Sequence, residues 1–205
     1  MKNIPDAYET DLLVVGGGPA GSCAAVAAAR MGVKTIIIDN GNCLGGMATK
    51  GLVGPFMTCY DRYGEQMIIK GIFGEIVDRL VEKNWAIHPE HVRWESPYTA
   101  WIKAGHDHVT PFDPEGLKVI LETMCGEAGV KILYHTNFVE TIMNGNAAAG
   151  AVVLQKQGLR KIHARMVIDA TGDGDVAVSA GSPFSMGCKE RDGKIQPASL
   201  FLRIN

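Results

Sequence analysis

Two short apolar runs near the start of the chain, "DLLVVGG" and "VKTIIID", are unbroken rather than alternating. Runs of that kind mark strands buried on both faces. Between them, "PAGSCAAVAAARMG" predicts a helix: Pro19 suits its first turn, alanine fills its middle, and Gly32 is placed to end it. Strand, glycine-rich turn, helix and strand make a βαβ unit, whose crossover is expected to be right-handed.

Farther along, the periodicity changes. In "IKGIFGEIVDRLVEK", residues Ile69, Ile72, Phe73, Ile76, Val77 and Leu80 recur on one helical face. "DPEGLKVILETMCGEAG" predicts a second long helix, with Asp113 as N-cap, Pro114 at its first position and Glu115 near its positive end. "VKILYHT" follows as a strand. The runs "FVETIMN", "AVVLQKQG" and "RKIHARMVIDATG", the first two joined by a turn around "GNAAAG", predict a small antiparallel meander. The stretch "NGNCLGGMATKGLVGPFM" has no period and reads as a loop lying against something. Residues 84–112 show no clear period either.

Composition narrows the class. Hydrophobic residues make up 46% of the 205 positions and charged residues 20%, which suits a folded core. The formal net charge of -2 gives no electrostatic pull toward nucleic acid or anionic lipid. No run approaches the ~18 apolar residues of a membrane span. Five cysteines without C-x-x-C spacing, and no apolar leader segment, point to reduced thiols and a cytoplasmic location. The 25 glycines fall in clusters, as in loops that let backbone approach a ligand.

One cluster carries chemistry. In "VVGGGPAG", Gly16, Gly18 and Gly21 fit G-x-G-x-x-G between a strand and a helix, with Pro19 and Ala20 inside the loop. Gly16 permits the tight turn, Gly18 lets backbone approach a pyrophosphate, and Gly21 lets the helix pack on the strand. The helix start adds free N–H groups and a positive dipole end. Asp39, closing the second strand, stands where a carboxylate accepts from ribose hydroxyls. Asn40 follows it and no Arg is near, which argues against a 2′-phosphate. NAD and FAD both satisfy this motif.

The continuation separates them. A nicotinamide dehydrogenase would resume helix–strand alternation soon after the second strand. Here an irregular and helical insertion and a meander intervene, and the chain then returns with "MVIDATGDGDVA". Taken with "VVGGGPAG" and "CLGGMATKGLV", this motif makes the chain resemble the glutathione-reductase-like class of FAD enzymes. More narrowly, it resembles the heterodisulfide reductase A-like FAD-dependent oxidoreductases.

The resemblance implies an α/β fold: a Rossmann-like FAD-binding domain, with a parallel sheet and a small antiparallel meander, over residues 1–46 and 113–182. A partial substrate domain is expected over 47–112 and 183–205. It implies that Gly16, Gly18, Pro19, Ala20, Gly21 and Asp39 hold the ADP half of FAD. Gly45, Gly46, Met47 and Thr49 are expected near the pyrophosphate and flavin, Thr171, Gly172 and Asp173 against the dinucleotide, and the backbone of Val139 beside adenine. The implied activity is a flavin-dependent redox reaction between a small-molecule substrate and an unidentified electron acceptor. The alternatives are an NAD-dependent dehydrogenase and a non-catalytic nucleotide-binding fragment.

Several features limit the chemistry. Cys43 and Cys59 are separated by "LGGMATKGLVGPFMT", so a thiol–disulfide relay beside the flavin is not expected. Four-iron clusters enter only through family association; the cysteine spacing does not support one. His88, His91, His106 and His108 lie in loop-rich sequence at irregular spacing and read as solvated loop residues rather than metal ligands. "QPASLFLRIN" reads as the start of a substrate-domain strand at which the chain stops, which suggests an N-terminal portion of a longer enzyme.

Overall fold

The computed structural model describes residues 4–57, 59–61, 63, 65–92, 108–188 and 192–202. The predicted βαβ unit forms as strand β1 (Asp6–Val15), helix α1 (Pro19–Arg30) and strand β2 (Thr35–Ile38). Helices α2 (Ile72–Glu82) and α3 (Pro114–Ala128) come next, followed by strands β3 (Lys131–Leu133), β4 (Asn137–Asn144), β5 (Ala147–Gln155) and β6 (Gly158–Asp169). A short helix α4 (Asp175–Ser179) follows β6, in a stretch that reads as a turn in the sequence.

All six strands belong to one sheet in the order β3-β2-β1-β6-β5-β4. β1 pairs in parallel with both β2 and β6, and β2 in parallel with β3. The predicted meander is β4, β5 and β6, antiparallel and continuous with the parallel half. β6 therefore has two roles: it ends the meander and is a neighbour of β1, with Val14 opposite Ile168 and Val15 opposite Asp169. The turn before β5 is tighter than "GNAAAG" suggests, because Ala147 to Gly150 already lie in the strand.

Period-two alternation along β1 and β2 feeds two cores. Leu12, Val14 and Ile37 face α1 and α3, where they meet Val26, Leu121 and Met124. Leu13, Val15, Ile36 and Ile38 face the other side and pack with Val153 and Ile162 of the meander and Val176 of α4. Each strand is covered on both faces, as its unbroken apolar run requires. Arg30, Glu75, Arg79 and Glu127 form a surface ion-pair network that links α1, α2 and α3.

The apolar stripe of α2 buries Ile76, Val77 and Leu80. Ile69 is not part of it: it precedes the helix and is exposed, because Gly71 starts the helix only at Ile72. Phe56, Trp85 and Phe112 pack against the core under α1 and α3, with the Phe56 and Phe112 rings stacked at 4.2 Å. Residues 196–202 are irregular and exposed rather than a strand, having no sheet neighbour to pair with among the described residues.

The helix caps follow the residue types. At α3 the Asp113 carboxylate accepts from the N–H groups of Glu115 and Gly116 at 2.8 and 2.9 Å, and Gly129 closes the other end in a left-handed conformation. Asp113→Ala is expected to cost about 1 kcal/mol. In a thermal melt followed by circular dichroism, this is a lowering of Tm by roughly 2–4 °C.

Candidate functional site: a cleft between two glycine elbows

The ends of β1 and β6 lie side by side, so the two glycine-containing elbows that follow them meet. The Ala170 N–H donates to the Val15 carbonyl at 2.8 Å, extending the parallel pairing past both strands. Gly16 has φ of +103°, and a Cβ there would collide with the Ala170 carbonyl. Both facts demand glycine. A Cβ on Gly21 would strike the Gly16 carbonyl and approach Ala170 Cβ to 3.1 Å, which is the close helix–strand packing its motif position implies.

Beside this junction opens a cleft of about 560 Å³. Its floor is the loop from Gly16 to Ala20, one wall is Thr171 and Gly172, and its far end is Asp39 and Asn40. Gly18, the N-cap of α1, has no side chain to offer the first turn, and Pro19 has no N–H. The N–H groups of Ala20 and Gly21 therefore lack an intrahelical acceptor. A Cβ on Gly18 would meet nothing within 4 Å, so this glycine borders open cleft rather than protein.

Asp39 is buried and held from three sides. Its Oδ2 accepts from Gly17 N–H at 2.9 Å, and its Oδ1 accepts from Gly41 N–H at 2.7 Å and from Lys50 Nζ at 2.6 Å. Of the paired glycines, Gly45 docks the loop by donating its N–H to the Gly17 carbonyl at 2.7 Å, and Gly46 lies against Gly18. Gly46 and the exposed Met47 line the cleft. Thr49 does not: it is buried, and its hydroxyl donates to the Leu44 carbonyl at 2.8 Å.

The second elbow is built from within. The Asp169 carboxylate accepts from the Thr171 hydroxyl at 2.7 Å, from Thr171 N–H at 3.1 Å and from Ala177 N–H at 2.9 Å. The Thr171 oxygen in turn accepts from the N–H groups of Gly174 and Asp175. With one proton given and two accepted, this hydroxyl is saturated. Thr171, Gly172 and Asp175 line the cleft, and the exposed Asp173 lines an adjoining hollow that shares Asp175 and Phe138 with it. Val139 also lines that adjoining hollow, and Thr136, Asn137 and Phe138 close this end of the cleft.

The motifs do not point to Asn40, Lys50 and Phe138, which line the cleft, or to Asp169, which shapes the second elbow. Asp169 alone carries a local signal, as the carboxylate before the A-T-G turn. The others come from loop ends whose positions depend on the tertiary fold.

The thiols and histidines lie elsewhere. Burial pushes the thiols of Cys23 and Cys59 up, and that of Cys125 to about 11, so they stay protonated near neutrality. Cys43 is buried with its Sγ 4.0 Å from Thr49 Oγ1. His88 caps a short helix by accepting from Glu90 N–H. His108 departs from the solvated reading: it is buried and its ring stacks on Tyr60 at 4.4 Å. His106 falls outside the described residues. No group of three His, Cys, Asp or Glu side chains that could hold a metal ion occurs among the described residues. Among them, no helix is long and apolar enough to cross a membrane.

Comparison with known proteins gives this geometry a family. A family model described as FAD dependent oxidoreductase matches residues 11–205. The chain is 29% identical over 174 residues to a thiamine thiazole synthase of Aeropyrum pernix, covering 80% of this chain and 54% of that protein. It is 27% identical over 168 residues to a digeranylgeranylglycerophospholipid reductase of Methanoculleus marisnigri, covering 79% and 38% respectively. The chain thus spans about half or less of the length of these relatives. Among solved structures, it superposes on a geranylgeranyl bacteriochlorophyll reductase-like protein of Thermoplasma acidophilum with a TM-score of 0.55 at 22% identity, over 85% of this chain and 42% of that one. A flavoprotein/dehydrogenase of Cytophaga hutchinsonii gives a TM-score of 0.56 at 18% identity, over 85% and 42%. These likenesses establish a shared fold.

The Asp169 network predicts a pH dependence. Burial raises the Asp169 pKa, but hydrogen bonds from the Thr171 hydroxyl and the Ala177 and Thr171 N–H groups outweigh this and hold it below the ordinary range. A depressed folded value means the network stabilises the fold above the unfolded pKa of about 3.9 and loses this as pH falls through the folded value. Asp169→Asn lacks that titration. Its unfolding free energy, from urea melts, is expected to be lower than wild type at pH 7 and to converge on it as the pH drops below about 4.

Proposed function

Because the chain belongs to the FAD dependent oxidoreductase family, we propose that its cleft holds FAD and that the whole protein carries out a flavin-dependent redox reaction on a small-molecule substrate. Bound flavin would supply the hydride or electron chemistry, leaving the chain to bind, orient and polarise. The observation that supports this most is the junction of the two elbows. An elongated dinucleotide needs contacts along its length, and Gly16–Ala20, Asp39, Gly46–Met47 and Thr171–Gly172 are arranged around one cleft.

The backbone at Gly18 and the start of α1 suits the pyrophosphate, since free N–H groups and the helix dipole favour an anion there. Asp39 suits a ribose hydroxyl. The end formed by Thr136, Asn137 and Phe138 suits adenine, with the Phe138 ring available for apolar contact. Met47, exposed at the opposite side of the loop, suits the ribityl or ring end. An NAD-only dehydrogenase would explain Gly16 to Asp39 but gives no role to the elaborate 169–175 elbow.

The thiazole synthase and the lipid reductase act on different molecules according to their names, so the substrate and electron acceptor are not inherited from them. We read residues 47–112 and 183–205 as the substrate-facing part. The narrower kinship with heterodisulfide reductase A-like enzymes rests on the glycine motifs and the loop between them. Five cysteines, none in a disulfide, fit a reducing compartment such as the cytoplasm.

Two substitutions test the cofactor site. Gly18→Val places its Cβ where no protein atom lies within 4 Å, at an ordinary φ of -65°. It is expected to fold with a normal circular dichroism spectrum but to lack the yellow flavin absorbance expected of wild type after reconstitution. Gly16→Val combines a positive φ with a backbone collision and is expected to lose both fold and colour. A yellow Gly18→Val protein would contradict the assignment.

A further inference from the structure

A dinucleotide brings an anionic phosphate chain into a cleft whose lining already holds two carboxylates, Asp39 and Asp175. Among the described residues that line it, Lys50 is the only cation. It comes not from the βαβ unit but from the turn after the paired glycines, folded back across the cleft's ribose end. Its Nζ donates to Asp39 Oδ1 at 2.6 Å and to Asn40 Oδ1 at 3.2 Å. Asp39 is 7% exposed, while the Lys50 side chain keeps 33% of its surface open to the cleft and solvent. The ammonium lies over Gly41, where any Cβ would run into Nζ and Cδ.

These positions give Lys50 two effects on a ligand. A shielded carboxylate repels a nearby phosphate strongly unless a cation offsets it. An ammonium has three donors, and Asp39 and Asn40 take two, which leaves one for an incoming oxygen. Asp39 in turn has about four acceptor positions, of which Gly17, Gly41 and Lys50 fill three. About one remains for a ribose hydroxyl.

We propose that Lys50 is a ligand-contacting residue of the cleft: it neutralises Asp39 and presents its remaining N–H to an oxygen of the dinucleotide's phosphate chain. This rests on reading the cleft as a dinucleotide site. Lys50 thereby selects for phosphorylated ligands, over and above the sequence-independent cradle of backbone N–H groups at α1.

Calorimetric titration of FAD, ADP and adenosine into wild type, Lys50→Met, Lys50→Arg and Gly41→Ala, at low and high salt, tests this. Lys50→Met is expected to weaken FAD and ADP about tenfold, the size of a lost hydrogen bond to a charged group. It should also flatten the salt dependence, since screening then has less attraction to remove, and leave adenosine nearly unaffected. Lys50→Arg should recover most of the loss. Gly41→Ala, which displaces the ammonium without removing it, should show a smaller loss in the same direction. Lys50→Met leaves the buried Asp39 carboxylate without its cation and is expected to melt lower than the other three, so all titrations are run well below its Tm, with circular dichroism showing each protein folded. Unchanged ADP affinity in Lys50→Met, or an equal loss for ADP and adenosine, would overturn the role of Lys50 while wild-type FAD binding still stood. Wild type binding neither FAD nor ADP would overturn both this proposal and the cofactor assignment.

Discussion

The hydrogen bond from Ala170 N–H to the Val15 carbonyl continues the β1–β6 pairing one step beyond the strands. Everything at the site depends on that step. With β6 anywhere else in the sheet, the Gly16 turn would have no backbone opposite it, and its positive φ would be strain without purpose. With β6 beside β1, the two chains leave the sheet edge together and diverge, one into α1 and the other into the A-T-G elbow. The cleft is the space between them, at the carboxyl ends of parallel strands, where open α/β sheets bind their ligands.

Around that junction the residues divide by task. Gly45, Thr49, Asp169 and Thr171 are polar or small and invite reading as ligand contacts, yet their hydrogen-bonding groups are engaged in shaping loops. Gly45 and Thr49 fold the 40–50 loop onto Gly17. Asp169 and Thr171 wind the second elbow so that backbone, not side chain, faces the cleft. What remains open to a ligand is mainly main-chain N–H, the Asp39–Lys50 pair and the Phe138 ring. Such a site binds by shape and fixed dipoles, which suits a cofactor that performs the chemistry itself.

Much of this was legible in the chain because buried parallel strands and capped helices leave strong local marks. The runs before Gly16 and Asp39, the Asp113-Pro114 start of α3 and the return of an apolar run before Ala170 each declare their element. Contacts set by tertiary placement were not legible. Phe138 lines the cleft and Val139 the hollow beside it, at a point where the β4–β5 register shifts between Phe138 and Glu140, an irregularity that carries no mark in the sequence. Lys50 reaches Asp39 only through the folding of an aperiodic loop. Asp173 and Asp175 look equivalent in "DGD", yet Asp175, the first residue of α4, lines both the cleft and the hollow beside it, whereas Asp173 lines only the hollow. His108 looked solvated because its burial comes from stacking on Tyr60, a residue distant in sequence.

Amide hydrogen exchange with and without saturating FAD addresses the central claim most directly. If one dinucleotide bridges both elbows, the segments around residues 16–21 and 170–174 gain protection together, at the same FAD concentration. Protection confined to 16–21, with the second elbow exchanging as freely as before, would contradict it.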